Sequence, residues 1–446
     1  MIHKYKLEDT YILLDVNSGG VFQIDEITYD ILDYYPDVNK EQTIENLKNK
    51  YSIEELSEII DEIDQLINRN ELFTKQDVIN PNFINNTVIK AMCLHVSHDC
   101  NIRCKYCFAS QGDFQGDRLL MDEETGKKAI DFLIENSKGR RNLEIDFFGG
   151  EPLLNFELVK TLVDYGREQE KIHNKNFRFT MTTNGVLLDE ETMEYINENM
   201  HNVVLSIDGR KEVNDRMRYT PNNKGTYDII LSKIKAMADK RGDKEHYVRG
   251  TYTKYNLDFS NDVIHLADCG FKHISVEPVV TDPKMDYAIT REDLPVLFNE
   301  YEKLTKEYLK RQEDKPFRFY HFNVDLDHGP CLYKRVSGCG AGNDYIAITP
   351  QGDIYPCHQF VGDEKFKLGT IFEGIVNTTV KDEFHEANLT EKAKCTDCWA
   401  KYFCGGGCLA NAYNTNGNVL EPDEIGCELE KKRLECAIAI ETINRS

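Results

Sequence analysis

Three thiols fall within eight residues in Cys100-Asn-Ile-Arg-Cys104-Lys-Tyr-Cys107. Thiolates this close can converge on one metal centre. They are one short of the four that complete an iron-sulfur cube, which would leave one iron open to a ligand that is not protein. Two other readings fit the same residues. The i, i+4, i+7 spacing would place three small apolar side chains on one face of a helix, and His98 beside them would complete a Cys3His zinc site.

A second concentration of thiols lies downstream, where nine of the 14 cysteines fall between Cys331 and Cys436. Cys339 is followed after twelve residues by Gly352 and after four more by Cys357, then by Cys395-x2-Cys398-x5-Cys404-x3-Cys408 and by Cys427. Cys395-x2-Cys398 alone suits a zinc ribbon as well as a cluster. Tyr345, Tyr355 and Phe403 are placed to shield either kind of centre.

The chain has 446 residues, 40% hydrophobic and 29% charged, a globular composition long enough for two or three domains. No run of about 18 apolar residues occurs, and Met1-Ile-His-Lys-Tyr-Lys6 lacks the apolar core of a signal peptide. A cytoplasmic protein without a membrane partner is expected. The 54 basic and 77 acidic residues give a net charge of −23, which argues against a phosphate-tracking surface and so against nucleic acid. Cysteines in a reducing compartment serve more often as metal ligands or catalytic groups than as disulfides.

These residues need elements to position them. Tyr11 to Val16 and Val21 to Ile24, separated by Asn17-Ser-Gly-Gly20, read as a hairpin. Helices are expected near Ile27 to Tyr35 and Gln42 to Lys50. A longer one follows, in which Leu56, Ile59, Ile60, Ile63, Leu66 and Ile67 keep helical spacing. This is a winged-helix-like arrangement, but its last helix carries Glu54, Glu55, Glu58, Asp61, Glu62 and Asp64 where a DNA reader needs basic residues. Asn80-Pro-Asn-Phe-Ile-Asn-Asn86 reads as a polar linker.

From Ala91 the pattern alternates. Strands are expected at Ala91 to Val96, Leu143 to Phe148, Phe177 to Thr182, Val203 to Ile207, Tyr247 to Tyr252 and His273 to Glu277. Helices fit near Asp122 to Ser137, Asn155 to His173, Asp189 to Met200, Tyr227 to Lys240, Asn261 to Cys269 and Arg291 to Arg311. Six β/α units imply a parallel sheet with its chemistry at the C-terminal strand ends. The three-cysteine loop follows the first strand, Gly149-Gly-Glu-Pro152 the second, Thr182-Thr-Asn-Gly185 the third and Ser206-Ile-Asp-Gly209 the fourth. Gly149 and Gly150 permit close backbone approach to a ligand's amino group, and Glu151 can accept its hydrogen bonds. Thr183, Asn184, Ser206 and Asp208 suit a ribose and a carboxylate. Arg218, twelve residues after Ser206, can form a charge-assisted bond.

In order and spacing these motifs resemble the radical S-adenosylmethionine (SAM) enzymes. The resemblance implies a SAM-binding [4Fe-4S] cluster on Cys100, Cys104 and Cys107, Tyr106 packed on the adenine, and Arg218 on the SAM carboxylate. The downstream cysteines resemble the SPASM domain, which carries two auxiliary [4Fe-4S] clusters. By that likeness Cys395, Cys398, Cys404 and Cys427 hold the outer one, and Cys339, Cys357 and Cys408 the inner one. The fourth inner ligand would be Cys331 or a substrate thiolate. Cys93, Cys269, Cys331 and Cys436 remain outside the motifs, and Cys93 and Cys269 read as core residues.

The fold expected is therefore α/β. Residues 1–80 would form a winged-helix-like leader-peptide recognition domain, 88–312 a partial (β/α)6 TIM-like radical SAM barrel, and 313–446 a bridging segment and SPASM domain. The N-terminal segment resembles domains that bind a leader peptide as an added strand. The whole most resembles the SCIFF-peptide (sactipeptide/ranthipeptide) maturases of ribosomally made peptides. That likeness implies an oxidoreductase that joins cysteine sulfur to another residue's carbon in a precursor peptide, using three [4Fe-4S] clusters, SAM and a flavodoxin- or ferredoxin-like reductant. Two alternatives remain. One is a sulfatase-maturing dehydrogenase, against which stand the N-terminal domain and His358, where those relatives place an aspartate. The other is a non-enzymatic electron carrier or zinc-bound peptide adaptor.

Overall fold

The computed structural model describes residues 1–76, 88–327 and 336–445. The expected linker Asn80 to Asn86, and Cys331, lie outside the described residues.

The N-terminal sheet is antiparallel, in the order β1 (Ile2–Leu7), β2 (Thr10–Asp15), β3 (Val21–Ile24). The β2–β3 hairpin matches the expectation, whereas β1 adds an unexpected strand. Lys6 is exposed and only Tyr5 and Leu7 are buried, so its period-two signal is short. Helices α1 (Glu26–Ile31), α2 (Lys40–Leu47) and α3 (Ile53–Asn68) follow. A capping box between Ser52 and Glu55 starts α3 by satisfying backbone N–H groups that a helix start leaves free. Leu56, Ile60 and Ile63 then pack on Ile31 and Leu47. The sheet rests on the C-terminal helix Glu424–Arg445, where the Tyr5 hydroxyl donates to the Glu435 carbonyl at 2.8 Å. The His3 ring stacks on Trp399 at 3.8 Å.

The main sheet is mixed and has eleven strands, ordered β12-β11-β10-β8-β7-β6-β4-β13-β14-β15-β16. The six strands expected from sequence are β4 (Ala91–Ser97), β6 (Asn142–Gly149), β7 (Asn176–Thr183), β8 (Asn202–Ser206), β10 (His246–Tyr252) and β11 (His273–Pro278). They are parallel neighbours in chain order. Helices α4 (Glu123–Asn136), α5 (Phe156–His173), α6 (Glu190–Asn199), α7 (Lys211–Met217), α8 (Tyr227–Arg241), α9 (Phe259–Asp268) and α10 (Leu294–Arg311) connect them or follow. Aspartate side chains cap α4 and α6, Asp122 and Asp189 each accepting an N–H of the first turn. This arrangement brings the loops after β4, β6, β7 and β8 to one end of the sheet.

The sheet continues past these six strands. β12 (Arg318–Phe319) adds to β11, and β13 (Tyr345–Ile348) pairs parallel with β4, setting Ala347 opposite Cys93. β14 (Asp353–Tyr355), β15 (Gly369–Thr370) and β16 (Gly374–Ile375) extend that edge antiparallel. The segment that carries Cys339 and Cys357 is therefore hydrogen-bonded directly to the strand that leads into Cys100.

Candidate functional site

The cysteine loop is not helical. Cys104 sits in β5 (Arg103–Cys104), which pairs antiparallel with β9 (Arg218–Tyr219), and its partner in register is Arg218. This rules out the shared helical face and brings the arginine beside the second thiol. The histidine of the Cys3His reading also turns elsewhere. His98 is buried, its Nε2 lies 3.0 Å from Nδ1 of His95, and its ring stacks on Phe114. Burial pushes it down to about 4, so it is neutral at pH 7.

Gly149 and Gly150 pack against this loop. A Cβ on Gly149, whose φ is +130°, would lie 2.0 Å from the Ser97 carbonyl oxygen, and one on Gly150 would lie 2.2 Å from that of Asp99. Only glycine permits that approach. It lets the Gly150 N–H donate to Ser97 at 2.8 Å and the Glu151 N–H to Asp99 at 2.9 Å. Two backbone bonds thus clamp the start of the cysteine loop to the end of β6.

Glu151 is buried and receives the Thr183 hydroxyl and the Asn184 N–H, both at 2.8 Å, and the Leu153 N–H at 3.1 Å. Burial pushes it up to about 7, against the pull of these donors. A carboxylate has about four acceptor sites, so one remains for a cationic ligand. Asn184 donates to Asn101 at 2.8 Å. Asp208 is pushed up to about 6 by burial, partly offset by Arg218, and accepts the Tyr106 hydroxyl at 2.8 Å and the Thr251 N–H at 3.1 Å. Arg218 donates to the Tyr106 hydroxyl at 3.2 Å and to the Ser206 carbonyl at 3.1 Å. Among the described residues its Nε is buried without a hydrogen-bond partner, as is Nδ2 of Asn101. A buried donor without an acceptor is costly, and an anionic ligand group would relieve it.

A cavity of about 520 Å³ opens at this end of the sheet. Cys100, Cys104, Cys107, Tyr106, Gly149, Gly150, Glu151, Thr183, Asn184, Ser206, Asp208 and Arg218 line it, so the residues nominated from sequence converge. Burial raises all three thiols, Cys100 to about 12. They are protonated until a metal takes them as thiolates.

The same cavity has residues that motif reading missed, Asp146, Tyr247, Arg249, Glu277 and Gln359, and it also takes in Tyr345 and His358 from the C-terminal segment. Arg249 donates to Glu277 at 2.5 Å. Burial pushes Glu277 up, but Arg249 more than reverses this and holds it down to about 2. Burial, helped by the Glu144 charge and opposed by a hydrogen bond from Thr180, pushes Asp146 up to about 6. The signal for the strand residues was present. Asp146, Arg249 and Glu277 occupy alternate polar positions of strands whose apolar neighbours are buried, so the polar face points inward.

The downstream thiols separate into two sets. Cys395, Cys398, Cys404 and Cys427 line a cavity of about 310 Å³. Cys339 and Cys408 act electrostatically on Cys357 and help burial to raise it. Among the described residues no group of three or more His, Cys, Asp or Glu side chains is tight enough for a single metal ion. A four-iron cluster takes each thiolate on a separate iron and needs wider spacing. Cys93 and Cys436 are buried, and Cys269 is half-buried at the end of α9.

Two family models match the chain. The model described as "Radical SAM superfamily" matches residues 94–251, and that described as "Iron-sulfur cluster-binding domain", SPASM, matches 339–399. The chain is 23% identical to the radical SAM cyclopropyl synthase TigE of Paramaledivibacter caminithermalis, over 96% of this chain and 92% of that protein. It is 26% identical to a cysteine-type anaerobic sulfatase-maturating enzyme of Clostridium novyi, over 76% and 92%. It is 25% identical to the subtilosin biosynthesis protein AlbA of Bacillus subtilis, over 72% and 67%. Among solved structures, anSMEcpe with bound AdoMet superimposes with a TM-score of 0.65 at 22% identity, covering 80% of this chain and 99% of that one. Streptococcus suis SuiB bound to S-adenosylmethionine gives 0.55 at 18%, covering 95% and 98%. No helix among the described residues is long and apolar enough to cross a membrane. The two matched domains imply [4Fe-4S] clusters and SAM, and the chain carries a radical SAM domain and a SPASM domain.

Proposed function

We propose that the chain is a peptide maturase that forms intramolecular thioether bonds in a cysteine-rich precursor. The observation that carries this reading is the single cavity. The three-cysteine loop and, from the C-terminal segment, Tyr345, His358 and Gln359 border it together, and Phe108 beside Cys107 meets the His358 ring at 5.3 Å. A peptide side chain lodged there would touch both loops.

In this reading Cys100, Cys104 and Cys107 hold the first cluster, Cys395, Cys398, Cys404 and Cys427 the outer one, and Cys339, Cys357 and Cys408 the inner one, with Cys331 or a substrate thiolate as its fourth ligand. When bound, these clusters and SAM supply hydrogen-atom abstraction and an outlet for the surplus electron. The chain's own residues do the rest. Arg218 directs its unpartnered Nε at the SAM carboxylate, and Glu151 offers its remaining acceptor site to the amino group. The Arg249–Glu277 pair and Tyr247 orient the acceptor residue from the inward face of the strands. Asp146, with a carboxyl near 6, suits the receipt of a proton near neutral pH. The six β/α units form a partial barrel. The winged-helix-like N-terminal domain takes a leader peptide as an added strand at an edge of the β1–β3 sheet, and SuiB, similar along nearly the whole chain, has been solved with its precursor peptide SuiA. A flavodoxin- or ferredoxin-like reductant supplies electrons.

The likeness to a cyclopropyl synthase across 96% of the chain favours a second reading, in which carbon is joined to carbon. Incubating the reconstituted enzyme with SAM, reductant and a cysteine-rich precursor encoded nearby separates the two. Both products lose two hydrogens per linkage, but only a thioether consumes a thiol. Product cysteines that still alkylate fully would refute thioether formation.

A further inference from the structure

Lys392 is fully buried, at 1% exposure. Its ammonium has three donors, yet among the described residues it makes one hydrogen bond, to the Gly406 carbonyl at 2.8 Å. Its stem runs along the Gly405-Gly-Gly407 turn, so that a Cβ on Gly406 would lie 3.6 Å from Nζ. That turn joins Cys404, the last close-spaced thiol of the outer set, to Cys408 of the inner set. Among the described residues no carboxylate pairs with Lys392. Burial lowers its pKa from the ordinary lysine value, and the groups that oppose this fall are the sulfurs of Cys395 and Cys404 from one set and of Cys339 and Cys408 from the other; the Cys395 N–H also donates to the Lys392 carbonyl at 2.8 Å. An unpaired buried ammonium is costly in a protein interior. Held on the turn that joins the two sets, it would find its counter-charge in their thiolates once these are metal-bound.

We infer that Lys392 is a shared positive charge between the two auxiliary clusters, which raises the reduction potential of both and so couples them as one electron outlet. The inference rests on the assignment of the seven SPASM thiols to two clusters. Thiolate-ligated clusters carry net negative charge that grows on reduction, and net charge is one of the factors that set their potentials. A fixed cation facing both therefore favours the reduced form of each. Lys401 and Lys431 also act on outer-set thiols, whereas Lys392 faces both sets. It is a positioning residue for charge and touches no substrate.

The test uses the full chain, reconstituted anaerobically, as wild type, Lys392→Met and Lys392→Arg. Iron and sulfide are quantified, and each cluster's midpoint potential is followed by electron paramagnetic resonance during a redox titration. In Lys392→Met both auxiliary potentials shift negative while that of the SAM-binding cluster stays in place, and Lys392→Arg returns them toward wild type. Loss of auxiliary iron in the methionine variant with retention in the arginine variant also supports the charge, because methionine preserves the packing and arginine does not. Full iron with unshifted potentials in Lys392→Met overturns the inference. So does loss of auxiliary iron in both variants, which would show that the lysine's shape is what matters. If wild type itself binds iron for one cluster only, the assignment of the auxiliary clusters fails, a result distinguishable from failure of the lysine's role.

Discussion

Gly150→Ala should detach the cysteine loop while leaving the rest of the chain folded. The added Cβ would stand 2.2 Å from the Asp99 carbonyl oxygen and 3.0 Å from Gly112 Cα. Both obstacles are backbone, so no side chain can swing aside, and relief requires a shift of about 1 Å to restore normal contact. That shift breaks or stretches the bonds from Gly150 to Ser97 and from Glu151 to Asp99, 2.8 and 2.9 Å long, each worth about 1 kcal/mol net. Overpacking adds about 1–3 kcal/mol. The sum, about 3–5 kcal/mol, displaces the loop from its assembled position by about two to three orders of magnitude. Because Cys100 follows Asp99 directly, the displacement falls on the first thiol. Iron and sulfide analysis should show loss of one cluster's worth of metal, and SAM cleavage under reductant should fall about 100-fold or more. Gly139→Ala is the control, since nothing lies within 4 Å of the Cβ it would add, and it should match wild type. A Gly150→Ala enzyme with full iron and undiminished SAM cleavage would refute the claim that this close approach holds the loop.

Three further outcomes follow from the site. Arg218→Met removes a charge-assisted bond worth about 1.5–3 kcal/mol, so the Kd for SAM, read by equilibrium dialysis of reconstituted enzyme, should rise about 10- to 150-fold. A change under twofold would show that Arg218 does not reach the ligand. Asp146 is raised from 3.8 to about 6 by burial, so the folded chain holds its proton more tightly than the unfolded chain. Its contribution is present below about pH 4 and is lost as pH rises through 6. Asp146→Asn should therefore gain on wild type across that window in urea unfolding, by about 1–3 kcal/mol given that the cavity admits water, and a difference that does not vary with pH would count against a buried carboxylate there. Cys427→Ala and Cys408→Ala should each lower bound iron by about four atoms without weakening SAM binding; loss of SAM affinity in either would place that thiol in the wrong set.

The cofactor loops could be read from sequence because their spacing is dictated locally. Three thiols within one turn of chain, or a glycine pair before a glutamate, report their chemistry without knowledge of the fold. What the glycines approach was not readable, since the carbonyls of Ser97 and Asp99 reach them only through the β4–β6 pairing. Asp146, Arg249 and Glu277 were visible as alternating polar positions, but whether that face looks inward depends on which face the helices cover. β13 was the hardest element to find. Its four residues are too few for a periodic signal, and its partner β4 lies some 250 residues earlier, so only the closed sheet reveals the pairing.

That pairing governs the geometry of the proposed chemistry. β4 runs into the loop of Cys100, and the β13–β14 hairpin runs into Cys357, so the register that sets Ala347 opposite Cys93 also sets the offset between the two thiol loops. A slip of two residues would keep every side chain on its face yet move one loop by about 6.6 Å along the strand, more than the width of the side chain to be modified. Ile346 and Ile348, both at 0% exposure, resist such a slip because it would unseat them from the core. In the proposed chemistry, selectivity for one acceptor carbon would thus rest in part on Ile346 and Ile348, two buried core residues.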